Sequence, residues 1–251
     1  MPITPTANDA SPARARGAEV TRLEAFVDAA FAFAATLLVI SVDAVPDSAQ
    51  ALLAALKGVP AFAASFALLA MLWWSHATWS RRYGLQNGRS VLLSLLLVAL
   101  VLVYVYPLRA MFSSFFAWIS GGWLPGGFAV ADGRELALLF GAYAVVWTTL
   151  GLVIVALYRH AWRMRGTIGL DAAERAQLRA SIAGQWMLPA TGGLALLVVL
   201  AAVLAGMPEL AGMSGFAYAL MSLTGLAVTR THARALREEQ AAGDAQAVPA
   251  P

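Results

Sequence analysis

The sequence predicts an all-α membrane protein with six transmembrane helices and both termini cytoplasmic. Three observations carry that prediction. The 251 residues are 60% hydrophobic and only 12% charged, about half the charge of a soluble domain. The apolar residues gather into six runs, each close to the roughly 20 residues a spanning helix needs. The basic residues fall mostly on one side of those runs.

Taken in order, residues 1–20 are rich in Ala, Pro, Thr and Ser and read as a disordered tail. They lack a signal peptide's hydrophobic region and cleavage site, so the first helix is expected to be retained. The first run covers 22–44. Its uncharged part, Ala29 to Val42, makes about 21 Å of helix, short of a hydrocarbon core of about 30 Å. The span must start near Arg22, which brings Glu24 and Asp28 into or against the bilayer. Charges at that depth are costly and point to function.

Residues 47–58 have apolar residues at helical spacing and suit a short interfacial helix outside. The second and third runs are 60–80 and 90–116. The third contains Pro107, where a kink or an early exit is expected. Gly121-Gly-Trp-Leu-Pro-Gly-Gly127 is a turn-rich external loop. After the fourth run, 134–159, the segment 171–182 opens on Asp171 as an N-cap and resembles an amphipathic cytoplasmic extension of the fifth span. The fifth run, 184–206, carries Pro189 and Gly192-Gly193 as a bend and closes at Gly206 and Pro208. The sixth run is 210–229. The expected organisation is a tail at 1–20, a six-span domain at 21–232 and a disordered tail at 233–251.

Fourteen of the 17 basic residues lie on one side of these runs: Arg14, Arg16 and Arg22; Arg81, Arg82 and Arg89; Arg159, Arg163, Arg165, Arg175 and Arg179; Arg230, Arg234 and Arg237. Lys57, Arg109 and Arg134 lie on the other. By the positive-inside rule the richer side, with both termini, is cytoplasmic. Trp73, Trp74, Trp79 and Trp162 mark the inner boundary and Trp118 and Trp123 the outer, as aromatic belts do. The arginines suit this topology better than a nucleic-acid patch, so no nucleic-acid partner is expected.

On the first helix Phe26, Phe33, Leu37 and Ile40 share one stripe, with Ala29, Ala30 and Thr36 on its flanks. Asp28, five residues before Phe33, points about 140° away around the axis. Arg22 and Asp28 are six apart, not the three or four that pair directly on one helix. Each therefore needs a partner on a neighbouring helix, and Trp73, Trp74, His76, Trp79 and Asn87 lie at the right depth. His76 suits either an interfacial hydrogen bond or proton sensing. Asp28 suits either a buried acceptor or a group whose protonation matters. The stripe suits either helix packing or a central axis between subunits.

The chain has no cysteine, which excludes disulfides, thiolate metal sites and cysteine nucleophiles. His76, His160 and His232 lie far apart, and no metal set, catalytic triad or phosphate loop is visible. No enzyme activity and no cofactor are expected. The carbonyl filter Thr-Val-Gly-Tyr-Gly of ordinary potassium channels is also missing.

Arg22-x-x-x-Phe26-x-Asp28, running into Ala-Ala-Phe31-Ala-Phe33-Ala-Ala-Thr36-Leu37-Leu38, resembles the first-helix signature of the transmembrane protein 175 family. That family comprises the endolysosomal potassium channel and its prokaryotic relatives. Trp73-Trp74-Ser-His76-Ala-Thr-Trp79 is similar to the family's Trp/His-rich stretch, and the region from Asn87 to Pro107 matches more loosely. The match is specific over 22–42, moderate to about residue 110, and rests on span count beyond.

The resemblance implies a homotetramer in which the first helices meet at a central axis and line the pore. Phe33, Leu37, Ile40 and Thr36 would then face the pore, with Phe33 at its narrowest point. Arg22, Phe26 and Asp28, with Trp74, His76 and Asn87, would tether the helices beside it. Val27 stands where the family has Ser, which removes one hydrogen bond. Phe33 stands where isoleucine is usual, so four phenyl rings would narrow or dewet the axis.

The favoured expectation is a potassium-permeable cation channel in a prokaryotic plasma (inner) membrane, with lipid and potassium ions as its partners. A proton-coupled transporter or solute permease using Asp28 and His76 is the alternative. A non-conducting assembly factor is a third reading.

Overall fold

The computed structural model describes residues 19–40, 47–128 and 130–218. It shows seven α-helices among them: α1 Arg22–Ile40, α2 Ala49–Leu56, α3 Val59–Tyr83, α4 Gly88–Ile119, α5 Gly133–Arg163, α6 Ala172–Gln185 and α7 Met187–Leu204, with a 3-10 helix at Pro208–Ser214. The described residues contain no strand. Four helical stretches are long and apolar enough to cross a membrane: Val59–Tyr83, Gly88–Ile119, Gly133–Arg163 and Ala172–Leu204. The expected tails, save residues 19 and 20, and the sixth run from residue 219 onward lie outside the described residues.

The helix ends follow their sequence signals. Ser48 caps α2 by accepting the Ala51 N–H at 3.1 Å. At the end of α3, Gly84 adopts φ 60° and returns its N–H to the Ser80 carbonyl; that left-handed backbone is the reason a glycine stands there. Asn87 caps α4 through the Ser90 N–H. Asp171 and Glu174 form a reciprocal capping box at the start of α6, as the Asp171 signal predicts.

The early exit expected as one alternative at Pro107 is corrected, and the fifth run is interrupted earlier than its expected bend. The third run does not exit early at Pro107, because α4 continues to Ile119; a membrane helix tolerates a proline where neighbouring groups re-satisfy the freed carbonyl. The break in the fifth run precedes Pro189. Trp186 separates α6 from α7, and α7 then runs continuously through Gly192 and Gly193. Pro189 sits in the first turn of α7, where a missing N–H breaks no intrahelical bond.

The chain divides into two compact units, Met1–Ala131 with Thr149–Trp186, and Asp132–Thr148 with Met187–Pro251. In the first, α1 packs on both α3 and α4, and α3 packs on α4. Its core is built from single stripes at helical spacing: Val27, Phe31, Ala34 and Leu38 on α1; Leu97, Val101, Tyr104 and Leu108 on α4; Leu150, Ile154, Leu157 and Ala161 on α5. In the second unit two buried clusters are built of small residues, Ala137, Ala202 and Ala211 with Val199, and Ala144, Ala195 and Ala217, beside the buried Tyr143, Trp147 and Leu188.

Candidate functional site

The first helix carries two faces of opposite character. Glu24, Val27, Phe31, Ala34 and Leu38 are buried, and Arg22, Phe26, Ala29, Phe33, Thr36 and Val39 are exposed. Both sets recur every three or four residues, as opposite sides of one helix must. α1 is 19 residues long, about 28 Å at the helical rise.

The exposed face is apolar at most positions. Phe33 is 56% exposed and Phe26 53%, with alanines at 25, 29 and 32 between them. It is turned from the expected stripe toward Thr36 and Val39. Leu37 lies half-buried at its margin, Val39 joins it, and the side chain of Ile40 lies outside the described residues. Thr36 donates its hydroxyl proton to the Phe33 carbonyl at 2.7 Å. With the proton committed to the backbone, the hydroxyl lone pairs are what Thr36 presents outward.

The buried face is tied by polar side chains at the end of α1 that holds Arg22. Glu24, only 2% exposed, accepts from Arg81 Nε of α3 at 2.9 Å, and its own N–H is held by Thr21 Oγ1. Asp28 accepts from the Trp73 indole at 2.7 Å. His76 Nε2 and Ser94 Oγ of α4 are 2.9 Å apart. Asn87 lies 2.9 Å from His160 Nε2 while capping α4. Trp79 is fully buried and donates to the Leu157 carbonyl; Tyr158 donates to the Ser75 carbonyl, and Gln185 to the Ser75 hydroxyl. Apart from the local Thr21–Glu24 bond, each of these joins two different elements, so together they fix α1 against α3, and α3 and α4 against each other and against α5.

At the far end of α1, Arg109 Nη1 of α4 donates to the Leu38 carbonyl at 2.5 Å. The last carbonyls of a helix have no intrahelical partner, and a guanidinium there suits the helix dipole. The helix is thus held at both ends by arginine, Arg81 at one and Arg109 at the other.

Of the tethers expected from sequence, the structure places Asp28, His76 and Asn87 in this lattice. Trp74 is 66% exposed, against Trp73 at a ring separation of 6.1 Å, and Arg22 and Phe26 lie on the free face of α1. Trp73 stood among the candidate partners at the right depth, and Glu24 was placed at membrane depth without a partner; Arg81, Ser94, His160 and Arg109 are the members that sequence reasoning missed. Helix geometry could have found Glu24: nine residues before Phe33 is about 180° around the axis, so exposing Phe33 buries Glu24 and calls for a cation at its depth. Val27 is fully buried, which confines the apolar substitution at that position to the packed side.

Comparisons with known proteins agree on one family. The family model described as endosomal/lysosomal potassium channel TMEM175 matches residues 22–107, the stretch that holds both faces of α1 and most of the lattice. A protein of Marivirga tractuosa named potassium channel is 32% identical over 191 residues, covering 74% of this chain and 76% of that one. The crystal structure of a variant of the potassium channel MtTMEM175, in complex with a nanobody–MBP fusion protein, superposes with a TM-score of 0.75 at 28% identity. That match covers 92% of this chain and 100% of the other.

Proposed function

The chain belongs to the TMEM175 potassium channel family, and we propose that four copies place the free face of α1 around a common axis through which potassium crosses the membrane. The observation that carries this reading is the uncovered apolar face itself: Phe26, Phe33 and Val39 are each more than half exposed on a helix whose opposite face is packed and ion-paired. A face of that kind suits either lipid or other copies of the chain. The family assignment favours the second.

In that arrangement Phe33 forms the constriction. Four phenyl rings make a short dry section that blocks ions until it widens or wets. Thr36, about one turn further along, offers hydroxyl lone pairs to a partly dehydrated cation. The lattice on the opposite face holds each α1 at a fixed distance from the axis. The same reading keeps six spans with both termini cytoplasmic, in a prokaryotic plasma membrane. A permease built on Asp28 and His76 has less support, since both groups engage neighbours on the packed side, Trp73 and Ser94.

The test is potassium flux in liposomes of purified protein, with Phe33→Ala beside the parent. The parent should pass potassium, and the variant should change the flux by about tenfold or more, as expected when removal of a constriction lowers the barrier by about 1.4 kcal/mol. A protein that runs as a monomer and passes no potassium would sink the proposal.

A further inference from the structure

We propose that the turn joining α5 to α6 is a binding surface for the headgroups of anionic phospholipids. It carries five arginines, Arg159, Arg163, Arg165, Arg175 and Arg179, against two carboxylates, Asp171 and Glu174, so these 21 residues hold a net charge of +3, as much as the whole chain. The two carboxylates are spent locally. Asp171 accepts the Glu174 N–H at 2.7 Å, and Glu174 accepts the Asp171 N–H at 3.0 Å.

Two open hollows lie in this turn. One, of about 310 Å³, is lined by Arg159, Trp162, Arg179 and Ile182. The other, of about 330 Å³, is lined by Arg163, Arg165 and Arg175 with Gly166, Gly169 and Leu170. No acidic side chain lines either. The Trp162 ring holds two guanidinium groups, Arg165 at 4.6 Å and Arg179 at 4.8 Å from its centroid. Stacking on the indole orders these cations without neutralising them.

The depth selects a lipid over other phosphates. The buried stripe of α5 ends at Ala161, and Arg159, Arg163 and Arg165 lie within about one turn of that residue, where an apolar spanning helix meets the headgroup layer. The first hollow combines two charged donors with an indole face and an isoleucine. A lipid phosphate between Arg159 and Arg179 would leave its glycerol and ester groups against Trp162 and Ile182. Basic clusters at this position attract anionic lipid by about 1 kcal/mol per residue. The proposal rests on this turn lying at a membrane surface and does not depend on conduction.

The experiment is native mass spectrometry of the full chain with phosphatidylglycerol and, separately, phosphatidylcholine. Phosphatidylglycerol should stay bound where phosphatidylcholine does not. Arg159→Gln with Arg179→Gln should weaken it by about 30-fold, at about 1 kcal/mol for each arginine. Lys57→Gln with Arg134→Gln removes the same charge at described residues that line neither hollow and should leave binding intact. Equal retention of the two lipids, or equal loss in the two double variants, overturns the proposal. Displacement by inorganic phosphate overturns the lipid assignment in favour of a soluble anion. If the double variant does not fold, Arg179→Gln alone, an exposed position on α6, decides at about fivefold. Flux without lipid retention would fail this proposal alone; lipid retention without flux would fail the channel reading alone.

Discussion

The two compact units associate their helices by different means. In the first, α1, α3, α4 and the end of α5 are joined by an ion pair and side-chain hydrogen bonds among Glu24, Arg81, Asp28, Trp73, His76, Ser94, Asn87 and His160. In the second, α7 has no charged residue, and it packs through alanines with Val199 and Leu196, and through Gly192, which lies against Thr148 and Trp147. A hydrogen bond from the Trp147 indole to Thr191 at 3.2 Å supplements that packing. Small residues let helix backbones approach closely and gain dispersion contacts at no desolvation cost. Polar groups in a membrane are costly unless paired. Their concentration in the first unit implies that there a particular geometry matters, not adhesion alone. The first unit is also the one that holds α1.

The largest expected effect comes from breaking the close packing of the second unit. A Cβ at Gly192 would lie 2.9 Å from both the Thr148 nitrogen and Trp147 Cδ1, and closer still to the Thr148 hydroxyl. Gly192→Val should therefore cost about 3 kcal/mol, at the upper end for overpacking, read as a fall in thermal midpoint in detergent. Gly193 meets nothing within 4 Å, so Gly193→Val on the same helix is the control. Equal shifts in the two variants would show that packing at Gly192 is not what joins the unit.

A smaller effect tests the polar lattice of the first unit. Trp73→Phe keeps an aromatic side chain, smaller than the indole, and removes the N–H that Asp28 accepts at 2.7 Å. A hydrogen bond to a charged group contributes roughly 1.5–3 kcal/mol, so the variant should lose about 2 kcal/mol. Trp74→Phe, at a residue 66% exposed, should change little. The reverse ranking would mean that the lattice does not hold α1.

Much of this architecture was legible from local signals. The apolar runs, the Asp171 start and the closing Gly206 follow from periodicity, capping and turn chemistry, all of which act within a few residues. The lattice was legible only in part. Asp28, His76 and Asn87 announce themselves as polar groups at membrane depth. Their partners do not: Glu24 and Arg81 are 57 residues apart, and Asn87 and His160 are 73 apart. No period of the sequence encodes such pairs. Arg81 and Arg109 looked like topology signals because their charge alone explains them, and Ser94 looked like one small residue in an apolar run. The choice of Trp74 over Trp73 failed for a related reason. Adjacent residues on a helix point about 100° apart, and only the orientation of α3 against α1 decides which indole reaches Asp28.

The smallest effect on stability falls on the free face of α1, and it separates holding from conducting. Thr36 is exposed and bonds only within its own helix, to the Phe33 carbonyl. Thr36→Val keeps the shape and removes the hydroxyl, with a stability change of about 0.5 kcal/mol or less, as for surface substitutions. If this face lines the permeation path, the same variant replaces four outward hydroxyl oxygens by methyl groups where a dehydrated cation has few other ligands. Potassium flux should then fall by about tenfold or more, for a loss of about 1.4 kcal/mol at the barrier, while the thermal midpoint stays put. Trp73→Phe would act on the same helix in the opposite sense, lowering the midpoint first. A Thr36→Val protein with unchanged flux would place the conducting path away from this face, whatever the lattice behind it holds in place.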